Sequence, residues 1–274
     1  MARSPKMTST NPSMFDLSGN VVLLTGAAGH LGRAMTLALC ECGAIVYANG
    51  RDKGRLQRLV RDMDAKGHDA RVLNFDVTDD SAIEAALTQI GDEAGRLDVV
   101  VNNAYAGSGL QADDVTRRAY AQAYDLAVAS SAAIVTFATP LLREAASDRG
   151  SSSVINVATM YGTVSPDPRI YRELPPNPPH YGPAKAALVQ WTRYMACRLG
   201  PDQIRVNAVS PGPFPNPGVA AEYPDFVDRL ADRTPLHRIG QPAEIGGAVV
   251  FLASRASSYV TGANIAVDGG WTAW

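Results

Sequence analysis

Short apolar runs alternate with longer helical stretches along almost the whole sequence, and this alternation limits the folds open to the chain. Seven runs of buried-strand composition begin at Val21, Ala44, Arg71, Leu97, Ser153, Ile204 and Ala263. Such an alternation is typical of a parallel sheet covered by helices on both faces. We therefore predict an α/β fold with a doubly wound parallel sheet of about seven strands. One domain is expected over residues 17–274, after a flexible polar tail over residues 1–16.

The turn between the first strand and the first helix is rich in glycine. It reads Thr25-Gly-Ala-Ala-Gly-His-Leu-Gly32. Glycines let the backbone approach a pyrophosphate closely, and the N-terminus of the following helix favours its negative charge. The turn therefore predicts a dinucleotide site, with a simple tight turn as the alternative.

The residues after the second strand indicate which dinucleotide is favoured. Folds that bind NAD usually place an acid there for the ribose 2′-hydroxyl, whereas this chain has Asn49-Gly50-Arg51. The Arg51 guanidinium could pair with a 2′-phosphate. Asp52 next to it could instead serve as the acid. We favour NADP(H), with NAD(H) as the alternative.

A tyrosine and a lysine four residues apart mark the predicted helix that starts near His180. Tyr181 and Lys185 share one helix face. An ammonium there can lower the pKa of the phenol, which makes it a usable acid or base at neutral pH. Alone, such a pair is usually exposed and without function; together with the glycine-rich turn it indicates catalysis.

Further motifs follow in a fixed order: Asp76-Val77, Asn102-Asn103-Ala104, Ile155-Asn156-Val157, Asn207-Ala-Val-Ser-Pro-Gly212 and Asp268-Gly-Gly270. With the two motifs above, they resemble the short-chain dehydrogenase/reductase family from about Leu17 to Trp271. The resemblance implies a single-domain, Rossmann-type fold. It also implies a cofactor site built from Gly26, Ala28, His30, Leu31, Gly32, Gly50, Arg51, Asp76, Val77, Asn103, Ala104, Tyr181, Lys185, Pro211, Gly212 and Phe214.

Several positions depart from the family pattern. Thr159 stands where a serine usually polarises the substrate oxygen, and it keeps the hydroxyl donor. Tyr105 replaces the glycine that usually follows Asn103-Ala104, so an aromatic ring is expected beside the substrate. Ala127 stands at the position of the relay asparagine, a loss for which a water or Ser130 could compensate. The expected catalytic residues are therefore Thr159, Tyr181 and Lys185.

A proline-rich segment over residues 165–179 makes the separation of Thr159 and Tyr181 longer than is usual in the family. Prolines at this density predict an extended, stiff loop rather than a helix. Because the loop enters just before Tyr181, Arg169 and Tyr171 are candidates for substrate binding. A surface loop or a subunit contact is the alternative. Two arginines, Arg169 and Arg172, would suit an anionic or polyhydroxylated substrate.

Composition excludes several classes of partner. The formal net charge is −2 and no Lys/Arg run exceeds two residues, so no nucleic-acid partner is expected. No continuous apolar stretch reaches the ~18 residues of a membrane span. The four histidines have no ligand spacing, so no metal is expected. We expect a cytoplasmic protein with three reduced, buried cysteines.

Together these features predict an NADP(H)-dependent enzyme that interconverts a small-molecule ketone and a secondary alcohol, with Tyr181 as the general acid/base. A catalytically weak nucleotide-binding scaffold or sensor is one alternative, suggested by Ala127 and Thr159. A dehydratase or epimerase using the same Tyr/Lys pair is another.

We also expect a homo-oligomer, a tetramer rather than a dimer. Val189 and Tyr194 lie off the apolar stripe of the helix that carries Tyr181, and the tail ends in Trp271 and Trp274. Large side chains of this kind would be exposed in a monomer.

Overall fold

The computed structural model describes residues 13–105, 116–172, 174–175 and 177–274. The strands are β1 (Val21–Leu24), β2 (Ile45–Asn49), β3 (Ala70–Leu73), β4 (Val99–Asn102), β5 (Ser152–Val157), β6 (Ile204–Pro211) and β7 (Asn264–Val267). The α-helices are α1 (His30–Glu41), α2 (Lys53–Asp64), α3 (Asp80–Ala94), α4 (Arg117–Tyr124), α5 (Ser130–Arg149), α6 (Pro168–Tyr171), α7 (Tyr181–Leu199), α8 (Pro217–Glu222), α9 (Pro224–Arg233) and α10 (Pro242–Ala253). All seven predicted strands form, and each begins within two residues of its predicted start.

The strands form one parallel sheet in the order β3-β2-β1-β4-β5-β6-β7. The chain winds outward from β1 in one direction and from β4 in the other, so the two strands mark a topological switch point. The predicted α/β, doubly wound Rossmann-type sheet is confirmed. Ligands of such sheets bind outside the carboxyl ends of the strands at this point.

Two buried clusters explain why the strands, above all the inner ones, are rich in apolar residues. On one face, Leu24 and Met35 pack with Ile245 and Val249 of α10. On the other face, Leu23 belongs to a second cluster that includes residues of α3, α5 and α7. Because each strand has helices above and below it, both sets of alternating side chains are removed from water.

One long helix is continuous from Arg117 to Arg149 and contains a π-helical segment, Asp125–Ala129. By length and composition this helix could cross a membrane; in the structure, 44% of its most apolar window is buried inside the protein. Ile134, Val135 and Leu142 pack against the sheet. Core helices of soluble proteins pass the same test, so this one helix is a weak indication of a span.

The proline-rich segment is not wholly extended, and that part of the prediction is wrong. Pro168–Tyr171 forms one helical turn, in which the Asp167 side chain accepts a hydrogen bond from the Arg169 backbone at 3.0 Å. Proline is tolerated at the first helical position because its missing N–H would have no partner there. The turn packs on α9, where Arg229 Nε donates to the Ile170 carbonyl at 2.7 Å.

The two ends of the chain also differ from expectation. Trp271 is only 2% exposed and packs with Tyr161 and Phe226, whereas Trp274 is 67% exposed. Residues 13–16 of the predicted tail include a turn in which Asp16 N donates to Ser13 O at 2.9 Å; residues 1–12 lie outside the described part. The cysteines form no disulfide, and Cys197 is exposed rather than buried.

Candidate active site

The candidate active site is a cleft of about 660 Å³ at the carboxyl edge of the sheet. It lies next to the ends of β1, β2, β4, β5 and β6. Every residue predicted to bind the cofactor lines this cleft, together with Thr159 and Tyr105. Residues outside the predicted cofactor set also line the cleft: Gly29, Asn49 and Asp52, which belong to the predicted motifs or lie beside them, and Arg55, Phe75, Thr78, Leu126, Val157 and Ala158.

The glycine-rich turn is held against the end of β4. The Thr25 hydroxyl accepts hydrogen bonds from the backbone N–H groups of Asn103 and Ala104, both at 2.9 Å. Gly26 has a φ of +65°, and a Cβ there would lie 2.9 Å from the Ala104 Cα. A Cβ on Gly32 would clash with the Gly26 carbonyl oxygen. These positions need glycine because helix, turn and β4 meet without room for a side chain.

The opposite end of the cleft carries two arginines. Arg51 lies with its Nη1 4.0 Å from Asp76 Oδ2, and its side chain is 65% exposed. Arg55 also lines the cleft and donates from Nη2 to the Ala28 carbonyl at 3.2 Å. Asp52 caps α2 by accepting from the Arg55 backbone N–H at 2.9 Å. The spacing of Arg51 and Arg55, one helical turn apart, is the sequence signal that would have identified Arg55.

Two buried polar atoms of the cleft have no hydrogen-bond partner in the described part of the chain: His30 Nε2 and Asn49 Oδ1. Burial lowers the pKa of His30, so its imidazole is neutral near pH 7. Asn49 uses its amide nitrogen on the Leu73 and Phe75 carbonyls, at 3.2 and 3.0 Å. Buried polar atoms normally find partners. A cradle of glycines and two unsatisfied atoms fit a ligand rich in phosphate and hydroxyl groups.

The predicted catalytic residues meet at the other end of the cleft. Thr159 follows β5 and lines the cleft together with Tyr181, the first residue of α7. Lys185 lies one turn further along α7, is 3% exposed, and donates from Nζ to the Val157 carbonyl at 2.7 Å. The strand end and the helix start thus bring together a hydroxyl, a phenol and an ammonium.

Burial controls the ionisation of this group. It raises the pKa of Tyr181 above the ordinary value of a phenol, an effect that the hydrogen bond from Thr159 opposes. The sequence-based expectation of a lowered pKa is therefore wrong for the protein alone. Burial also lowers the pKa of Lys185 to about 8. At neutral pH the phenol keeps its proton and the lysine is mostly charged, an arrangement suited to donating a proton.

Tyr105 contacts both residues of the Tyr/Lys pair. Its ring centroid is 5.1 Å from that of Tyr181, in an edge-on arrangement with planes at 61°. The Lys185 Nζ lies 4.9 Å from the centroid of the Tyr105 ring. Sequence analysis placed an aromatic ring at the cleft but did not predict its contact with the ammonium.

The π-helical segment presents Ala127 where the family resemblance implies an asparagine. The Ala127 carbonyl accepts a hydrogen bond from the Ser131 hydroxyl at 2.9 Å. Ser130 donates instead to the Asp125 carbonyl at 2.9 Å and does not line the cleft. The expectation that Ser130 compensates for the missing asparagine is therefore not supported by its position.

The two residues of the proline-rich segment expected to bind substrate do not line the cleft. Arg169 points to solvent and pairs with Asp167, with an Nη2–Oδ2 distance of 2.7 Å and a side chain that is 89% exposed. Tyr171 is buried, and its hydroxyl lies 2.6 Å from that of Tyr161 and accepts from Asn177 at 3.0 Å. Ion pairing and burial direct these side chains away from the cleft in this structure, so substrate binding by Arg169 and Tyr171 stays a prediction.

A second cavity, of about 560 Å³, begins where the cleft ends. Tyr181 lines both spaces. The other walls are largely small or apolar and comprise Tyr161, Gly162, Thr163, Val164, Ser165, Pro166, Asn177, Pro178, Pro179, Gly182, Pro183 and Ala186. The described residues of the proline-rich segment therefore shape space beside Tyr181 largely with prolines and small side chains, and none of those that line this cavity is charged.

A glycine cradle at the switch point and a Tyr/Lys pair beside it define an oxidoreductase of the Rossmann type. Residues 26–272 match the family model described as enoyl-(acyl carrier protein) reductase. The chain is 32% identical over 255 residues to 3-oxoacyl-[acyl-carrier-protein] reductase FabG of Thermotoga maritima, covering 93% of this chain and 98% of the relative. The protein belongs to the short-chain dehydrogenase/reductase family.

Solved structures agree with this assignment. The Pseudomonas aeruginosa RhlG/NADP active-site complex superposes with a TM-score of 0.85 at 29% identity, covering 94% of this chain and 98% of that one. A gluconate 5-dehydrogenase from Burkholderia cenocepacia, in complex with NADP and tartrate, gives 0.82 at 26% identity, covering 95% and 98%. These similarities extend over the whole sheet and the site at its carboxyl edge.

Proposed function

We propose that this protein uses NADP(H) to interconvert a ketone and a secondary alcohol, with Tyr181 as the general acid/base. The observation that carries the proposal is that Tyr181, Thr159 and Lys185, which follows Tyr181 by one helical turn, together line one end of a nucleotide-sized cleft. NADPH would supply the hydride. All the remaining chemistry falls to side chains of the chain itself.

In the reductive direction, Tyr181 and Thr159 would both donate hydrogen bonds to the ketone oxygen. Because burial raises the pKa of Tyr181, its proton is retained until charge develops on that oxygen. Transfer of the proton leaves a phenolate, which the Lys185 ammonium stabilises in a low-dielectric site. The reverse reaction requires the phenol to be deprotonated first, so alkaline pH should favour alcohol oxidation.

The choice of NADP(H) rests on the arginines at the far end of the cleft. Arg51 and Arg55 present positive charge beside Asn49, where NAD-binding folds place an acid. Both structural neighbours described above contain NADP. Asp76 lies near Arg51 and keeps its guanidinium at the rim of the cleft, where a 2′-phosphate could replace the weak 4.0 Å contact.

Replacing Arg51 by alanine should weaken NADPH binding about 10-fold or more and leave NADH binding nearly unchanged, because a charge-assisted pair contributes about 1.5–3 kcal/mol. Dissociation constants for both nucleotides, measured by quenching of intrinsic fluorescence, check this. Arg58→Ala, on the exposed face of α2, is the matched control. A wild type that binds NADH more tightly than NADPH would contradict the assignment.

The substrate class is best sought among uncharged carbonyl compounds. The second cavity beside Tyr181 is largely apolar, and the two arginines that suggested an anionic substrate do not line the cleft. A panel of 3-oxoacyl thioesters and cyclic ketones assayed with NADPH, and of gluconate as an anionic alcohol assayed with NADP⁺, each with product identification, tests the proposed function. Nucleotide binding without turnover on the panel would favour a scaffold or sensor. Product formation without net cofactor oxidation would favour a dehydratase or epimerase.

We further propose a cytoplasmic homo-oligomer, with a tetramer favoured over a dimer. Tyr120 and Tyr124 on α4 are 42% and 51% exposed, and Tyr194 on the neighbouring α7 is 61% exposed. Val189 is buried within the chain and Trp271 is covered, so neither supports the proposal any longer. The exposed tyrosines form the apolar surface on which it now rests.

A double substitution, Tyr124→Glu with Tyr194→Glu, should lower the mass in solution, because four carboxylates would face each other across a two-fold interface. Light scattering at micromolar concentration measures the effect. Tyr259→Glu, at a fully exposed position, should leave the mass unchanged. A wild-type mass of 29.0 kDa, that of one chain, would contradict the proposal.

A further inference from the structure

The ring of Tyr105 lies between the two groups on which the proposed proton transfer depends. One edge-on contact joins it to Tyr181, at 5.1 Å between centroids, and its face lies 4.9 Å from the Lys185 Nζ. An ammonium within about 6 Å of a ring centroid is attracted by the electron-rich face of the ring. A single side chain therefore contacts both members of the pair.

The Lys185 ammonium has few other groups to stabilise it. Among the described residues, no carboxylate pairs with it, and its hydrogen bond goes to the Val157 carbonyl at 2.7 Å. The titratable side chain in contact with it is Tyr105, whose ring centroid lies 4.9 Å from the Lys185 Nζ. Burial raises the pKa of Tyr105 to about 12, so its ring is neutral and presents an uncharged face. The contact with this ring thus favours the charged form of the lysine.

Among the described residues, the helix Arg117–Arg149 contributes the apolar Leu126 to the lining of the cleft. Tyr105 packs against a small apolar cluster formed by Ala123, Ala127, Val128, Ala184 and Leu188. Ala127 has no side-chain donor or acceptor, and its carbonyl is bonded by Ser131. The aromatic ring occupies the space beside the ammonium that this helix leaves apolar.

We propose that Tyr105 is a positioning residue for the proposed reaction, in which its ring holds the Lys185 ammonium and the Tyr181 phenol in a fixed mutual arrangement and stabilises the ammonium. The inference rests on the proposed function of the Tyr181/Lys185 pair. The ring acts through Lys185 and Tyr181 and transfers no proton itself. Its hydroxyl is not required for this role, which separates it from a substrate-binding tyrosine.

Two substitutions in the full chain separate the ring from its hydroxyl. Tyr105→Leu removes the aromatic face while keeping the site apolar, and Tyr105→Phe keeps the face. Ketone reduction requires the protonated Tyr/Lys pair, so a less stable ammonium loses its proton at a lower pH. In Tyr105→Leu, the pH above which kcat for ketone reduction falls should be lower than in the wild type by about 0.5–1 unit, with KM little changed. In Tyr105→Phe, kcat should fall at the same pH as in the wild type.

A second readout needs no turnover. The pKa of Lys185, followed by NMR with isotope-labelled lysine in the three proteins, should fall in Tyr105→Leu and stay in place in Tyr105→Phe. Tyr259→Leu, at an exposed tyrosine far from the pair in sequence, controls for the loss of a tyrosine as such. Binding of NADPH by Tyr105→Leu verifies that this variant is folded.

The outcomes distinguish this inference from the proposed function. An unchanged lysine pKa in Tyr105→Leu, or an equal change in Tyr105→Phe, overturns the role of the ring even if the enzyme reduces ketones. If the wild type reduces no ketone while the lysine pKa falls only in Tyr105→Leu, the proposed function fails and the contribution of the ring to the ammonium stands.

Discussion

Replacing Tyr181 by phenylalanine should reduce ketone turnover by about 10²- to 10⁴-fold, the usual contribution of a positioned acid. The ring remains to pack against Tyr105, and only the hydroxyl is removed. The dissociation constant for NADPH should therefore stay within about twofold of the wild type. Steady-state rates and fluorescence titrations on the same preparations measure the two effects separately.

Tyr194→Phe provides the matched control, because it removes a tyrosine hydroxyl from an exposed position on the same helix, α7. It should retain the wild-type rate. Full activity in Tyr181→Phe would show that another group donates the proton and would end the proposed mechanism. Loss of NADPH binding in this variant would instead indicate that the phenol holds the cofactor.

The sheet and the cleft could be predicted from the sequence because their signals are local. Most strands are rich in apolar residues, since the inner strands are covered on both faces, and each is separated from the next by a helical pattern. A parallel sheet brings the carboxyl ends of its strands to one edge. Motifs far apart in the chain, such as Thr25–Gly32 and Pro211–Phe214, therefore had to meet at that edge.

The parts that could not be predicted depend on contacts between distant segments. The proline content of residues 165–179 gave no signal for a helical turn that packs on α9, a helix that sequence analysis had itself missed. Trp271 looked exposed because it lies near the chain end, yet it fills a cluster with Tyr161 and Phe226. Neither packing partner could be identified from local composition.

The electrostatics of the site were missed for a similar reason. Sequence spacing placed Lys185 beside Tyr181 and suggested that the ammonium would lower the pKa of the phenol. In the structure Lys185 is buried and Tyr181 is partly buried, and their removal from solvent opposes the charged form of each. Depth of burial is a property of the whole fold, so it cannot be inferred from the spacing of two residues.

A buried ammonium kept for catalysis should lower stability, and Lys185→Met makes this measurable. The difference between the ordinary lysine pKa of 10.5 and about 8 corresponds to about 3 kcal/mol against the charged folded form at neutral pH. Methionine has a similar length and no charge, although it leaves the Val157 carbonyl without its lysine donor. At pH 7, without nucleotide, the variant should be about 1–2 kcal/mol more stable than the wild type. Ketone turnover should fall by about 100-fold or more.

The pH dependence of stability identifies the cause. Above about pH 8 the folded wild type has lost the Lys185 proton, while the unfolded chain keeps it to about pH 10.5, so the unfolded state binds more protons in this interval. The free energy of unfolding should therefore receive a rising contribution from Lys185 between about pH 8 and 10.5 that is absent in Lys185→Met. Urea denaturation at several pH values measures it, with Lys66→Met, at an exposed position, as the control.

If Lys185→Met is less stable than the wild type at pH 7, or both proteins respond identically to pH, the charge is not destabilising. Burial in the fold would then not explain a low pKa of Lys185. A Lys185→Met variant that is more stable than the wild type and lacks the rise with pH would show that the folded protein is less stable because it keeps a cation beside Tyr181.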